Sequence, residues 1–321
     1  MDISVIVCTH NRASSLRKTL DTLGQMSVPP DLRWELLVVD NDSSDDTRQA
    51  VNEFTERTGL DVRYVWEPQR GKSVALNTGI NKAKGGIIAF TDDDVRVAPE
   101  WLHELVRTFR EFDCMGVGGR SVPAWGGLTR PDWLITEGPY HLVPSPILDF
   151  DLGDDVKELQ VPPWGLNMAF KKIAFQEYGP FRTDLGPTGS GGLLGEDTEF
   201  GKRLLASGEK IVYSPRAVIF HPVDQERITK SYFLGYYFNS GRTFMREVSW
   251  PADAVLYFGV PRYLFRSVLA NCARWFFAFD KKRRFYYKTR LYFVLGQIAE
   301  GRKVKRDRSL GAQTIQSTRV I

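Results

Sequence analysis

The chain opens on a nearly continuous apolar run, Ile3-Ser4-Val5-Ile6-Val7-Cys8, which predicts a buried strand. Leu16, Leu20 and Leu23 then recur at helical spacing, and Glu35–Val39 reads as a second strand running into Asp40. Ser44 is placed to cap a helix through Thr58, with Asp45 and Asp46 in its first turn and Gly59 as its stop. Val62–Trp66 predicts a third strand, Ser73–Ala83 a helix, and Ile87–Phe90 a fourth strand entered through Gly85-Gly86. Pro99 opens another helix, which carries Trp101, Leu102, Leu105, Val106 and Phe109. Strands alternating with helices in this way predict an α/β, Rossmann-like domain with a mostly parallel sheet.

Beyond Gly126 the pattern turns irregular, with prolines at 131, 139, 144, 146, 162 and 163. Leu166–Phe170 and Lys210–Tyr213 read as further strands, and Val218-Ile219-Phe220 as an apolar strand ending in His221. A glycine-rich loop, Gly186–Gly195, leads into Glu196-Asp197 and a helix that ends near Ser207, before Gly208. From Pro261 a helix would gather Phe265, Val268, Leu269, Cys272 and Phe276 on one face, with Arg262, Arg266 and Arg274 on the other. A second amphipathic stretch starts at Lys281-Lys282-Arg283-Arg284 and carries Tyr287, Leu291, Val294, Leu295 and Ile298. The expected organisation is a catalytic domain over 1–225, a basic-aromatic helical region over 226–306 and a disordered tail over 307–321.

Composition narrows the class. Apolar residues make up 42% and charged residues 26% of 321, ordinary for a globular chain and incompatible with wholesale disorder. Three scattered cysteines, Cys8, Cys114 and Cys272, exclude a disulfide framework and a CxxC zinc knuckle. Met1-Asp2-Ile3-Ser4 has no basic stretch before an apolar run, which argues against a secretory leader. The longest uncharged stretch, Leu159–Phe170, spans twelve residues and contains two prolines, too short and too broken to cross a bilayer. Charge is unevenly spread: Pro261 onward holds 15 Lys and Arg against three acids, a net of +12, and the preceding 260 residues net −8. An acidic body with a basic end points to an anionic partner surface.

Candidate chemistry collects where the predicted strands end. Asp92-Asp93-Asp94 follows Ile87–Phe90 directly, and three adjacent carboxylates need a cation or donors to neutralise them. Mg²⁺ or Mn²⁺ with substrate phosphates would do so, at the sheet edge where open α/β folds bind ligands. An acidic turn ahead of the next helix is the plainer reading. Thr9-His10-Asn11-Arg12 and Asp40 fall on the same edge; Asp40 suits a base N–H, and Arg12 suits a phosphate or a solvated helix start. Glu196-Asp197 opens a helix, where the macrodipole favours ionised carboxylates; it suits a general base or simple capping. His221 suits a metal or diphosphate ligand, or a half-buried structural histidine. Gly71-Lys72-Ser73 imitates the end of a P-loop but has Trp66 where that motif needs glycine. Gly116-Val117-Gly118-Gly119 lies too deep in the chain for a dinucleotide signature.

Taken in order, the motifs resemble those of family 2 glycosyltransferases, inverting enzymes with the nucleotide-sugar-binding GT-A fold. They are Val5–Arg12, Leu37–Ser43, Gly71–Ile80, Phe90–Asp94, Trp164–Phe170 and Gly195-Glu196-Asp197, together spanning roughly residues 1–225. The resemblance implies a nucleotide wall of Thr9, Asn11, Arg12 and Asp40, continued by Gly71 and Asn77. It implies that Asp92 reaches the ribose or the metal, that Asp94 binds the metal, and that Asp93 lies between them. It makes Asp197 the catalytic base beside Glu196, and puts Trp164 and Asn167 in the sugar and acceptor pocket. Many members carry Arg where this chain has Leu76, which removes one phosphate or sugar contact.

The implied activity is inverting transfer of a sugar from a nucleotide-diphospho-sugar, assisted by Mg²⁺ or Mn²⁺, with closure of Gly186–Gly195 excluding water. Residues 255–293 hold 13 aromatics in 39, interleaved with Arg and Lys, the pattern of helices in an anionic membrane interface. A helical cap with a solvated basic face is the plainer alternative. The expected partners are the donor, a glycan or lipid-linked saccharide and an anionic membrane; nucleic acid is not expected, because no binding module accompanies the charge. The expected location is cytoplasmic, peripheral to the cytosolic membrane face. A nucleotidyltransferase would share the metal and nucleotide but release pyrophosphate, and a non-catalytic sugar-nucleotide-binding or membrane scaffold would have no use for Asp197.

Overall fold

A computed structural model describes residues 1–188, 193–248, 250, 251 and 253–317, with side chains in the last helix as far as Lys303. The chain divides into two compact units, residues 1–126 with 147–223 and residues 127–146 with 224–321. The first unit runs β1 (Ile3–Thr9), α1 (Ala13–Gly24), β2 (Trp34–Asp40), α2 (Thr47–Thr58), β3 (Val62–Trp66), α3 (Lys72–Lys82) and β4 (Ile87–Asp92). It continues through β5 (Arg96–Val97), α4 (Trp101–Glu111), β6 (Gly116–Ala124), β7 (Lys157–Glu158), β8 (Asn167–Lys171), α5 (Ile173–Glu177), α6 (Glu196–Ala206) and β9 (Ile211–Pro222). The strand order is β3-β2-β1-β4-β8-β6-β9-β5, with β7 paired to β9. β3, β2, β1 and β4 are parallel, and β8 enters antiparallel between β4 and β6.

Period-two alternation sends each strand's side chains to two cores. Val5, Val7, Leu36 and Val38 meet Leu16, Leu20, Trp101 and Leu105 on one face. Ile6, Leu37, Val39 and Phe90 meet Ala75, Leu76, Ile80 and Phe200 on the other. The second core includes an aromatic stack that fixes α6 beneath the sheet. Phe175 lies flat on Phe200 at 4.6 Å, and Phe181 meets Phe90 edge-on at 5.5 Å.

Several expectations shift. α2 begins at Thr47 rather than after Ser44, because Asp45 accepts hydrogen bonds from the Thr47 N–H and hydroxyl and thereby ends the loop. α4 begins at Trp101, two residues after Pro99. Gly116–Gly119 forms the start of β6. Residues 189–192, the middle of the loop expected to close, lie outside the described residues.

The second unit contains α7 (Lys230–Val248), β10 (Leu256–Tyr257), β11 (Val260–Pro261), α8 (Arg262–Phe276) and α9 (Lys281–Ser317). The proline-rich segment 127–146 belongs to this unit, so the expected boundary at 225 misses it. Trp133 meets Phe233 and Phe285 edge-on, each at 5.1 Å, and the Val143 N–H donates to the Tyr237 hydroxyl at 3.0 Å. The backbone is helical through Ser317, across most of the expected disordered tail; residues 318–321 lie outside the described residues. Among the described residues no helix is long and apolar enough to cross a membrane.

α7 and α9 run side by side in the same direction with backbones almost touching. A Cβ at Gly241 would lie 2.0 Å from the Phe293 carbonyl oxygen, and one at Gly296 2.0 Å from that of Phe238. Fully buried Glu300 accepts from Arg242 Nε at 3.0 Å and Arg246 Nε at 2.5 Å across this crossing. In a free helix Gly→Ala gains about 1 kcal/mol. Gly296→Ala should reverse that sign and lower stability by about 1–3 kcal/mol, read from urea unfolding; an unchanged or raised midpoint would contradict this helix contact.

Candidate active site

The parallel register brings three polar strand ends to one edge, with Thr9 opposite Asp40 and Cys8 opposite Asp92. The Asp92–Asp94 run continues from there, and each carboxylate has its own counter-group. Lys72 Nζ lies 2.6 Å from Asp92. The Thr9 hydroxyl donates to Asp93 at 2.7 Å, and Arg12 bridges Asp93 at 2.9 Å and Asp94 at 2.8 Å. His221, buried in β9, brings Nε2 within 3.2 Å of Asp94.

These surroundings split the run chemically. Burial pushes Asp93 up to about 6, against the pull of Arg12 and the Thr9 hydroxyl. Burial also opposes ionisation of Asp94, but His221 and Arg12 outweigh it and hold that carboxyl below the ordinary carboxylate range.

The second acidic group meets the first through Lys72. Glu196 and Asp197 open α6, and Glu196 Oε1 lies 4.0 Å from Lys72 Nζ. Burial raises Glu196 to about 7, with the adjacent Asp197 charge adding to it. Burial raises Asp197 as well, although Lys72 and two N–H donors pull the other way. Those donors are the Gly165 N–H at 2.5 Å and the Thr198 N–H at 2.7 Å. Burial alone would discharge Lys72; Asp92 and Glu196 hold its ammonium above the ordinary lysine range. The sequence reading passed over Lys72 with its P-loop look-alike, yet a lysine one residue into a helix that faces three strand ends was the available signal.

The remaining predicted residues divide between the site and its frame. Asn11, at φ 52, accepts from the Ser44 N–H at 2.7 Å and so clamps the loops after β1 and β2 together. Asp40 accepts from the Ser43 N–H at 2.9 Å and the Tyr64 hydroxyl at 2.5 Å. It lines a cleft of about 340 Å³ with Ser43, Asp45, Arg48, Tyr64 and Trp66. Gly71 donates its N–H to Asn41 at 2.8 Å. Trp164 packs on Phe150 at 4.9 Å.

Two residues are engaged with the frame. Asn77 exchanges two hydrogen bonds with the Phe181 backbone, so its amide braces that segment. Asn167 is buried, accepting from Trp101 Nε1 and donating to the Arg120 and Ala217 carbonyls. With both amide N–H groups and its carbonyl oxygen engaged, it frames the sheet.

Among the described residues no three His, Cys, Asp or Glu side chains converge on one point. Asp94 and His221 do form a carboxylate–imidazole pair, with Asp92 two residues away at the same edge. Hard divalent ions commonly take one or two protein ligands and complete their shell with substrate phosphates, so this donor set fits such an ion.

The sequence profile of "Glycosyl transferase family 2" matches residues 4–178, more than half of the chain. The chain belongs to that family. It is a glycosyltransferase similar to succinoglycan biosynthesis protein ExoM of Rhizobium meliloti, 29% identical over 253 residues that cover 76% of this chain and 74% of that protein. It is also similar to the glucosyl-dolichyl phosphate glucuronosyltransferase of Haloferax volcanii, 26% identical over 74% of this chain and 76% of that one. Among solved structures, mannosyltransferase PcManGT from Pyrobaculum calidifontis, in complex with GDP-Man and Mn²⁺, superposes with a TM-score of 0.61 at 20% identity, covering 93% and 86% of the two chains. S. aureus TarS 1–349 in complex with UDP gives 0.53 at 16% identity, over 96% and 92%. Both likenesses bear on architecture, and they establish the GT-A fold.

Gly165 is where backbone and site touch. A Cβ there would stand 2.9 Å from Asp197 Oδ2 and 3.3 Å from its Cγ. Gly165→Ala should displace that carboxylate and lower turnover about 10²-fold, with the unfolding midpoint nearly unchanged. Wild-type turnover in this variant would show that the position of Asp197 does not matter.

Proposed function

We propose that this glycosyltransferase moves a sugar from a nucleotide-diphospho-sugar to a hydroxyl of a glycan or lipid-linked saccharide, inverting the anomeric centre. The observation that carries this reading is the meeting, through Lys72, of the Asp92–Asp94 edge with the first turn of α6. A donor site needs groups for the nucleotide and its diphosphate, and a base a short distance away. Arg12 and the Asp40 cleft offer the first, and Asp197 offers the second.

Asp197 takes the proton of the acceptor hydroxyl as its oxygen attacks the anomeric carbon from the face opposite the diphosphate. The bond to the diphosphate breaks in the same displacement, so the nucleoside diphosphate departs with the bonding pair and no covalent enzyme intermediate is needed. Asp94 and His221 would hold a divalent ion, which supplies countercharge to the leaving diphosphate when bound. Lys72 keeps the buried carboxylates from all taking up protons, which leaves Asp197 able to act as a base.

The relatives' names, succinoglycan biosynthesis and glucosyl-dolichyl phosphate glucuronosyltransfer, favour a polysaccharide or lipid-linked acceptor. The GDP-Man, UDP and Mn²⁺ of the structural neighbours favour a nucleotide-sugar donor with a divalent ion. A lipid-linked acceptor would place the protein at the cytosolic face of a membrane.

Asp197→Asn should lower kcat by about 10³-fold, within the range for loss of a general base, and leave nucleoside diphosphate affinity within about threefold. In the wild type, kcat should fall as pH drops through a limb above the ordinary aspartate value of about 3.9, because burial raises the Asp197 pKa and the base must be ionised. An active Asp197→Asn variant, or release of pyrophosphate instead of nucleoside diphosphate, would overturn the reading.

A further inference from the structure

The second unit carries a surface that its own core does not explain. α8 already buries its inner side: Leu264 packs with Val260 and Val294, and Phe265 and Val268 lie against them. The outer side is not the arginine face that helical periodicity predicts. Leu269 and Phe276, expected on the apolar face, are 70% and 72% exposed, on the same side as exposed Arg262, Arg266 and Arg274. Aromatic and basic side chains thus share one solvent-facing stripe.

Both ends of α8 extend that stripe. Before it, β10 and β11 pair Tyr257 with Val260 around the two-residue turn Phe258-Gly259. Phe258 is 94% exposed and sits at φ 50, where bulky residues are outliers and asparagine or aspartate is the usual choice. The sequence therefore accepts both backbone strain and a wet phenyl ring at this tip. After the helix, Phe277 and Phe279 are 69% and 99% exposed, and Lys281 and Lys282 follow in solvent.

Charge selects the occupant. Between Ala254 and Ala299 there are nine Lys and Arg and one acid, Asp280. That acid accepts from the Arg283 N–H at 2.7 Å at the start of α9. A second copy of this chain would bring one basic face against another, with no acids to answer them. A protein hot spot would gather its aromatics in one packed centre, whereas here Phe258 projects at one end of a helix and the edge-on Phe276–Phe277 pair at the other, with cations between them. An anionic lipid interface takes that arrangement: rings enter the acyl boundary, and Arg and Lys stay at the phosphates.

We infer that α8 and its two flanking turns form a docking face for an anionic phospholipid bilayer, with Phe258, Phe276, Phe277 and Phe279 inserted and Arg262, Arg266, Lys281 and Lys282 at the headgroups. This rests on the proposed function for its purpose, a lipid-linked acceptor, and its test is read without turnover. The full chain is sedimented with phosphatidylcholine vesicles and with mixed phosphatidylcholine–phosphatidylglycerol vesicles. Two variants are compared, Phe258→Ser/Phe277→Ser/Phe279→Ser and Arg262→Gln/Arg266→Gln, in which every changed side chain is exposed. The wild type should bind the mixed vesicles, more weakly as salt rises, and each variant should bind about tenfold less tightly with an unchanged unfolding midpoint. Equal binding to both vesicle types, unaltered binding in both variants, or a dimer abolished by the same substitutions in place of lipid binding would overturn the inference. Vesicle binding by a chain that takes no nucleoside diphosphate would support this face and contradict the transfer reading instead.

Discussion

Lys72 is half-buried between Asp92 and Glu196, and the rest of the site depends on that placement. Asp92, Asp93, Asp94, Glu196 and Asp197 gather within one small region, where uncompensated burial of so many charges would be prohibitive. Lys72, Arg12 and His221 are interleaved among them, one from the start of α3, one from the end of the β1 loop and one from β9. Each of these partners comes from a different part of the chain, so the carboxylates are all paired only when the sheet edge, α3 and α6 are in place. The aromatic stack of Phe90, Phe175, Phe181 and Phe200 and the Asn77 brace hold α6 and the segment before it. Packing far from the edge thereby sets the protonation of groups at it.

Much of this was legible in the chain. β1, β2, β3 and β4 are apolar runs with polar stops, and parallel pairing makes their stops neighbours without further information. Asp92–Asp94 and Glu196-Asp197 stand out because few structural roles need such dense acid. What stayed hidden depends on long-range pairing. Lys72 meets Glu196 across 124 positions of sequence, and nothing local to Gly71-Lys72-Ser73 announces that. Asn77 and Asn167 belong to ordered motifs, yet their amides are spent on backbone groups at 181, 120 and 217. A side chain's motif membership shows that its position matters; its hydrogen-bond partners show why.

The second unit shows the complementary failure of periodicity. Helical spacing sorts α8 into an apolar and a basic side, but the contacts made by Leu264 and Val268 rotate the buried side away from Leu269 and Phe276. α7 was missed because its buried set, Phe233, Leu234, Tyr237, Gly241 and Met245, includes a glycine where α9 approaches most closely. Gly116-Val117-Gly118-Gly119, rejected as a dinucleotide signature, opens a strand whose three glycines lie close under Phe170, Pro163 and Asn167 respectively. In each case the deciding contact lies on another element.

The central claim is that the strand-edge carboxylates form the site for a donor's diphosphate. Calorimetric titration of UDP, GDP and dTDP tests it most directly, with and without Mn²⁺ or Mg²⁺, into the wild type and into Asp94→Asn. The account predicts that one diphosphate binds in a metal-dependent way and that Asp94→Asn abolishes the dependence. Binding that ignores both the ion and the substitution, or no binding of any diphosphate under any of these conditions, would contradict it.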